Sequence, residues 1–228
     1  MLKAVVLLSG GLDSSTTLGI ANEEHDEIFA LTFKYGQKHD KEVQCAKKLA
    51  DYYSVKEHII LETNLEKIAR SSLLNHDDIP ISDEKDIGQS IPTTYVPARN
   101  IIFLSYALSY AESVDADSIY IGATAVDYSG YPDCRPEFFK AFKKMAKKGT
   151  KRGIEGKKID IKTPLIDKSK AGIIEIGDEL SVPFEKTWSC YKGGEKACGV
   201  CDSCKLRLKG FEEAGLKDPI VYEDIKDQ

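Results

Sequence analysis

The sequence predicts a doubly wound α/β fold, a parallel sheet with helices on both faces, carrying a small cysteine-rich segment near its C-terminal end. Three observations carry that expectation. Short apolar runs alternate with helix-length amphipathic stretches up to about residue 180, the rhythm of repeated βαβ units. A glycine turn, Ser9-Gly10-Gly11-Leu12-Asp13-Ser14, follows the first apolar run. Four of the six cysteines crowd between Cys190 and Cys204.

The run Leu2 to Leu8 is apolar and bounded by glycines, so it reads as a buried strand and not as a signal peptide. Ser14 to Ala21 then reads as a helix start. Further strands are expected at 27–33, 57–61, 118–123 and 159–165. Helices are expected at 39–53, with Val43, Ala46, Leu49 and Ala50 on one face, at 97–114, and at 168–180. Another is expected from Pro136, with proline at its first position and Phe138, Phe142 and Met145 turned inward. The stretch 75–94 is polar, rich in aspartate and proline, and reads as a mobile loop or lid. The expected division is residues 1–186 as a nucleotide-binding α/β domain and 187–228 as a cysteine segment packed on it.

A chain of 228 residues buries roughly 70 % of its unfolded surface, enough for one large domain with an appendage. Its net charge of −5 and pI near 5.5 argue against a nucleic-acid binder, which needs a basic stripe. The basic run from Phe139 to Lys158, nine Lys/Arg against one Glu, reads as a solvated helix face. The most apolar helical stretch, 101–111, is short and broken by Ser105, Tyr106, Ser109 and Tyr110, so no membrane span is expected. A cytoplasmic location follows as an expectation.

In wound sheets the ligand lies beyond the carboxyl ends of the strands, where strand order reverses. The turn at Ser9 to Ser14 occupies such an end. Gly10 and Gly11 let backbone approach an anion, and helix-start amides point at it. Ser9, Ser14 and Ser15 add hydroxyls. An anionic Asp13 beside a phosphate needs a bridging cation, and Mg²⁺ is the expectation. The turn is neither a Walker loop nor a dinucleotide fingerprint, because the Gly-Lys-Ser/Thr and the third glycine are missing. It supplies no lysine, so a cation must come from elsewhere. In TPLIDKSK, a strand end running into a helix start, Lys170 is the first choice to meet phosphates and Lys168 the second.

The cysteines at C-x7-C-x2-C-x2-C spacing fit a closed tetrahedral zinc site, Cys190, Cys198, Cys201 and Cys204, one structural ion per chain. An iron–sulfur cluster uses the same ligands. Two further strings fall at the ligand end of the sheet, TYVPARN and DYSGYPDCRPEF. Tyrosines for stacking, aspartates for ring N–H groups and an arginine clamp suit a flat heterocycle bearing a carboxylate. Arg99, Asn100, Asp127, Tyr128, Tyr131, Asp133 and Arg135 are the candidates.

SGGLDS resembles the pyrophosphate loop of the ATP pyrophosphatase superfamily, which cleaves ATP between the α and β phosphates. Together with YGQKHDKE, IPTTYVPARN, DYSGYPDCRPEF, TPLIDKSKAGII, KTWSCYKGGEKACGVCDSC and RLKGFEEAGLKDP, it makes the chain similar to the 7-cyano-7-deazaguanine synthase family over nearly its whole length. The resemblance implies a Rossmann-like sheet of the adenine nucleotide alpha hydrolase type. It implies that 7-carboxy-7-deazaguanine, ammonia and ATP yield the nitrile used for queuosine or archaeosine. The ATP site would be Leu8, Ser9, Gly10, Gly11, Leu12, Asp13, Ser14, Ser15, Thr16, Thr17 and Leu18, with Asp13 and Lys170 catalytic. Ammonia would arrive from solution. The expected partners are these small molecules, with no nucleic acid and no membrane, and a homodimer as the candidate assembly. The competing readings are a tRNA-thiolation enzyme of the same superfamily, using Cys134, and a non-enzymatic nucleotide-binding or zinc-stabilised interaction module.

Overall fold

The computed structural model describes residues 1–37, 40–74, 91, 93–124 and 130–223. Parallel strands β1 (Lys3–Leu7), β2 (Glu27–Lys34), β3 (Glu57–Glu62), β4 (Ser118–Tyr120) and β5 (Asp160–Lys162) form one sheet in the order β3-β2-β1-β4-β5. The helices are α1 (Leu12–Glu24), α2 (Lys41–Tyr52), α3 (Arg99–Ser113), α4 (Pro136–Gly149), the short α5 (Lys151–Ile154), α6 (Lys170–Glu179) and α7 (Asp202–Glu213). From β1 the chain winds outward to β3, then crosses back to pair β4 on the other side of β1. The order reverses there, between the carboxyl ends of β1 and β4. That crevice is where a wound sheet accepts a ligand.

The central strand shows why both faces are covered. Val5 and Leu7 point to one side, with Phe29, Leu31 and Ile119, against Leu104, Ala107, Leu108 and Ala111 of α3 and Phe139 and Phe142 of α4. Ala4, Val6 and Leu8 point to the other, against Leu18 and Ala21 of α1 and Ala46, Leu49 and Ala50 of α2. A third cluster joins Leu12 to Leu165, Ile173, Ile174, Val182, Phe184 and Phe211, seating α6 and α7 against α1. Helix α1 is thus buried nearly all round, which explains its small hydroxyl residues. Ser15 and Thr17 return their hydroxyls to Gly11 O and Asp13 O, 2.7 and 2.9 Å away.

The sequence expectations meet three differences. Strands expected at 118–123 and 159–165 are shorter: Ile121 to Thr124 line the crevice as loop, and the chain turns after β5, with Leu165 buried against α6 and α7. In α4 the inward line is Phe139, Phe142 and Ala146, with Phe138 half-buried at its edge. Met145 is 46 % exposed and does not turn inward. Adjacent helical residues diverge by about 100°, and the small Ala146 takes the place facing the core. The expected loop or lid at 75–94 falls largely outside the described residues.

The C-terminal segment is woven into the ligand end of the sheet. Trp188 N donates to Gly10 O at 2.9 Å, and Cys45 of α2 packs with Trp188 and the clustered cysteines. Among the described residues no helix is long and apolar enough to cross a membrane.

Gly10 is where this packing is least forgiving. Its φ is +89°, and a Cβ there would lie 2.1 Å from Glu42 O and 2.7 Å from Ala46 N. Both atoms belong to the backbone of α2, so neither can rotate away. Gly10→Ala is expected to destabilise the fold by roughly 2–5 kcal/mol, from left-handed strain plus overpacking. A urea titration with intact β2-to-α2 geometry and no shift in midpoint would contradict that account.

Candidate active site and candidate metal centre

A cavity of about 330 Å³ lies at the carboxyl ends of β1, β2 and β4. Its floor is the strand ends, Leu7, Leu8, Leu31, Phe33 and Ile121. The β1–α1 turn forms one wall and the start of α3 another. Trp188, Ser189, Tyr191 and Arg207 of the C-terminal segment close it.

The turn is shaped by its own hydroxyls. Ser9 Oγ lies 2.9 Å from Ser14 Oγ, which in turn donates to Gly11 O at 3.1 Å. Ser9 N donates to Ser14 Oγ and Gly11 N to Ser9 Oγ, both at 3.2 Å. The amides of Leu12, Asp13 and Ser14, first in α1, have no helical acceptor. Amides so placed suit an anion, to which the helix dipole would add about 0.3–2 kcal/mol. Gly122, at the end of β4, allows this close approach: a Cβ there would sit 3.1 Å from Asp13 O and Ser14 N.

Asp13 and Lys170, far apart in sequence, meet at the turn. Lys170 Nζ donates to Oδ1 and Oδ2 of Asp13 at 2.7 and 2.8 Å. Ser169 caps α6 through Gly172 N, and so places Lys170 in its first turn. Lys168 is exposed and does not line the cavity.

The expected ATP residues divide. Leu8, Ser9, Gly11, Leu12, Asp13 and Ser14 line the cavity. Gly10 packs behind them, and Ser15, Thr16, Thr17 and Leu18 are fully buried in α1 without reaching it. Of the expected substrate residues, Arg99, Asn100 and Tyr131 line the cavity. Asp133 does not: its Oδ2 accepts from Asn100 N at 2.9 Å, satisfying an orphan amide of α3. Arg135 is exposed and is not part of the cavity lining; it occupies the N-cap position of α4, ahead of Pro136, without a side-chain capping bond. Asp127 and Tyr128 lie outside the described residues.

Backbone strain aims Arg99. Ala98 adopts φ +56°, at a cost of about 1 kcal/mol or more, with its amide held by Tyr95 OH at 3.2 Å. Arg99 Nη1 then donates to Tyr35 OH at 3.4 Å, and its guanidinium lies 5.7 Å from the centre of the Tyr35 ring. Tyr131 stacks near Tyr95, ring centres 5.9 Å apart, and shares a 2.9 Å hydrogen bond with Thr94.

Sequence reasoning missed Tyr35, Gln37 and Glu42, which line the same cavity. All three belong to YGQKHDKE, a string whose glycine turn after β2 was the available signal. Burial pushes the Glu42 carboxyl up to about 7, against the pull of Arg99. Cys134 lines the cavity too, its Sγ accepting from Asn100 Nδ2 at 3.0 Å.

The four clustered cysteines are buried, with sulfur atoms within 4.8 Å of one another. A tetrahedral ion with Zn–S bonds of about 2.3 Å spaces its sulfurs about 3.8 Å apart. Cys198 and Cys204 lie 4.0 Å apart. The amides of Cys198 and Cys201 donate to Cys190 Sγ and Cys198 Sγ, each at 3.4 Å, an arrangement that favours thiolates. The thiols also oppose one another, Cys190 drawn down by S–H donors and Cys204 pushed up. A soft divalent cation removes that conflict. The site fits a closed metal centre with no open position.

Above it, Arg207 is 1 % exposed. Its guanidinium grips Asp218 through Nε and Nη2 at 2.8 and 2.9 Å, and Thr187 Oγ1 at 2.7 Å.

The model of the family described as queuosine biosynthesis protein QueC matches residues 3–215. The chain belongs to that family. A relative from Desulfitobacterium hafniense (strain Y51), named 7-cyano-7-deazaguanine synthase 2, is 54 % identical over 228 residues, covering 100 % of this chain and 96 % of the relative. A 7-cyano-7-deazaguanine synthase from Thermoplasma acidophilum is 55 % identical over 221 residues, covering 97 % of this chain and 92 % of its own. Among solved structures, NMN synthetase from Francisella tularensis superposes with a TM-score of 0.50 at 17 % identity, over 94 % of this chain and 77 % of that one. That likeness concerns the fold. As a QueC member the chain is an enzyme, and its cavity is the candidate active site.

The metal centre carries its own test. If the expected zinc is the ion held, Cys201→Ser should lower it well below one per chain and lower the unfolding temperature, since a structural zinc contributes on the order of 10 kcal/mol to its segment. Elemental analysis beside calorimetry reads both. Iron with a visible absorption band would overturn zinc, and undiminished stability without metal would overturn the site.

Proposed function

We propose that this chain converts 7-carboxy-7-deazaguanine, ammonia and ATP to 7-cyano-7-deazaguanine through an adenylated carboxylate, an amide and an adenylated amide, releasing AMP and pyrophosphate. The observation that carries the reading is the QueC match over residues 3–215, with relatives of that name at 54 % identity over the full chain. The cavity supports it. Helix-start amides and serine hydroxyls at the β1–α1 turn form a cradle for phosphates, and Arg99 offers a planar fork for a carboxylate at the opposite wall.

The chemistry asks little of a general base in the first half. A carboxylate oxygen is already a nucleophile, so the site must stabilise charge on the α-phosphorus and on the departing pyrophosphate. Lys170 is suited to that task. Its ion pair with Asp13 keeps it at the loop, and an incoming polyanion offers a stronger partner. Mg²⁺ bound with the nucleotide supplies charge neutralisation, and Asp13, released from Lys170, is the carboxylate that would hold it. The amide intermediate has lost the substrate's charge, so Tyr131 and the apolar floor must retain it while Arg99 contributes less.

Asp13→Asn is therefore expected to reduce carboxylate-dependent ATP–pyrophosphate exchange by roughly 100-fold or more while the fold persists, the scale seen when an electrostatic group is removed from a site. Exchange near the wild-type rate would remove Asp13 from the mechanism. The overall reading is tested by incubating the chain with the carboxylate, ammonium and Mg-ATP and following products by mass, with two AMP per nitrile expected. The synthetic amide with Mg-ATP and no ammonia should give the nitrile with one AMP. ADP and phosphate in place of AMP and pyrophosphate would overturn the α–β cleavage.

The thiolation reading would need Cys134, which does line the cavity. Cys134→Ser separates the two, because sulfur transfer would stop and nitrile formation would continue.

A further inference from the structure

The cavity is lined by two acidic side chains of opposite circumstance. Asp13 is neutralised by both short hydrogen bonds from Lys170. The side chain of Glu42, in the first turn of α2, has no hydrogen bond or ion pair among the described residues. Arg99 is near enough to interact electrostatically, yet its guanidinium donates to Tyr35 OH. The other titratable groups that feel Glu42 are Tyr35, Cys45 and Cys190. A half-buried carboxylate without a partner is costly to keep ionised. Its position is also fixed, because Gly10 packs on the Glu42 main chain and ties α2 to the phosphate turn.

The reagents of the proposed reaction narrow what such a group can take. The nucleotide phosphates and the substrate carboxylate are anions and would be repelled. A hard divalent cation needs several oxygen ligands, and Asp13, the other acidic side chain among the described lining residues, is assigned above to the nucleotide's Mg²⁺. Ammonium offers both a positive charge and N–H donors on every side. We propose that Glu42 captures ammonium in this cavity and takes up the proton that it must lose before its nitrogen attacks the adenylated carboxyl carbon. The proposal rests on the reading of the function given above. Arg99 and Glu42 then form two poles of the site, one for the acyl group and one for the nucleophile.

The step balances. One proton passes from ammonium to the Glu42 carboxylate, leaving ammonia with a free electron pair. That pair forms the C–N bond as the bond from the acyl carbon to the AMP phosphate oxygen breaks, its electrons leaving with AMP. A second proton leaves the new amide nitrogen for solvent.

The test compares Glu42→Gln with the wild-type chain. With ammonium chloride as nitrogen source, the variant should lose roughly 100-fold in kcat/KM for ammonium, within the range expected of general-base catalysis. Hydroxylamine is uncharged at neutral pH and needs no deprotonation, so hydroxamate formation should stay near the wild-type rate. Carboxylate-dependent ATP–pyrophosphate exchange, which precedes nitrogen attack, should also persist. Glu42→Asp should recover part of the ammonium reaction. Because Gln replaces an unpaired acid by a neutral isostere, the unfolding temperature should hold or rise, and a fall would mean that Glu42 supports the fold instead. An unchanged ammonium kcat/KM overturns the proposal. So does a parallel loss of exchange, or a raised KM for the carboxylate substrate, either of which would assign Glu42 to the nucleotide or the heterocycle. If the wild-type chain itself shows no carboxylate-dependent exchange, the reading of the function falls, and this proposal with it.

Discussion

The structure depends on how tightly the turn after β1 is held. Gly10 lies against the backbone of α2, Gly122 brings the end of β4 against Asp13 and Ser14, and Trp188 N bonds Gly10 O from the C-terminal segment. Each contact is backbone against backbone, with no side chain to absorb an error. A phosphate cradle made of amides works only if those amides are fixed before the ligand arrives, since reorientation would consume the gain. The switch in strand order supplies the crevice, and these contacts set its inner surface.

Electrostatics in the crevice are arranged in pairs that can be exchanged. Lys170 and Asp13 neutralise one another at the turn, partly buried and bidentate. Neither charge is left bare in a site with restricted water, where an isolated ion would cost several kcal/mol. Each is open to exchange, since a polyanion would draw Lys170 and a cation would draw Asp13. Arg99 has instead a neutral companion, Tyr35 OH, and so keeps its charge available. The difference separates a group that must be released from one that is ready.

Much of this was legible in the sequence because it is local. The alternation of strand and helix, the glycine turn and the cysteine spacing all express themselves within a few consecutive residues, and elements β1 to β3 fall within a residue or so of expectation. Lys170 was reachable because a strand end leading into a capped helix has a known place in a wound sheet. Glu42 and Tyr35 were not, since nothing local distinguishes a helix-start glutamate that faces solvent from one that faces a crevice. Asp133 and Arg135 show the converse. Their types suit a ligand, yet one is consumed by an amide of α3 and the other precedes a proline-started helix on the surface. Chemistry-bearing residues beside a site are often occupied in building it.

The same distinction explains why the cysteine segment belongs to the active site without performing chemistry there. Four thiolates around one ion leave no position for a substrate. What the segment does is mechanical. Its cysteines fix the chain leading into α7 and the first turn of that helix, and α7 carries Arg207, whose guanidinium is fully used by Asp218, Thr187 and the Phe184 carbonyl. Breaking a buried pair of this kind costs about 3–5 kcal/mol. Thr187 leads directly into Trp188, and Trp188 holds Gly10. The cysteine cluster, the buried arginine and the β1–α1 turn therefore form one connected chain of contacts. Loss of metal would reach the phosphate turn through this chain, although no cysteine ligand belongs to the turn itself.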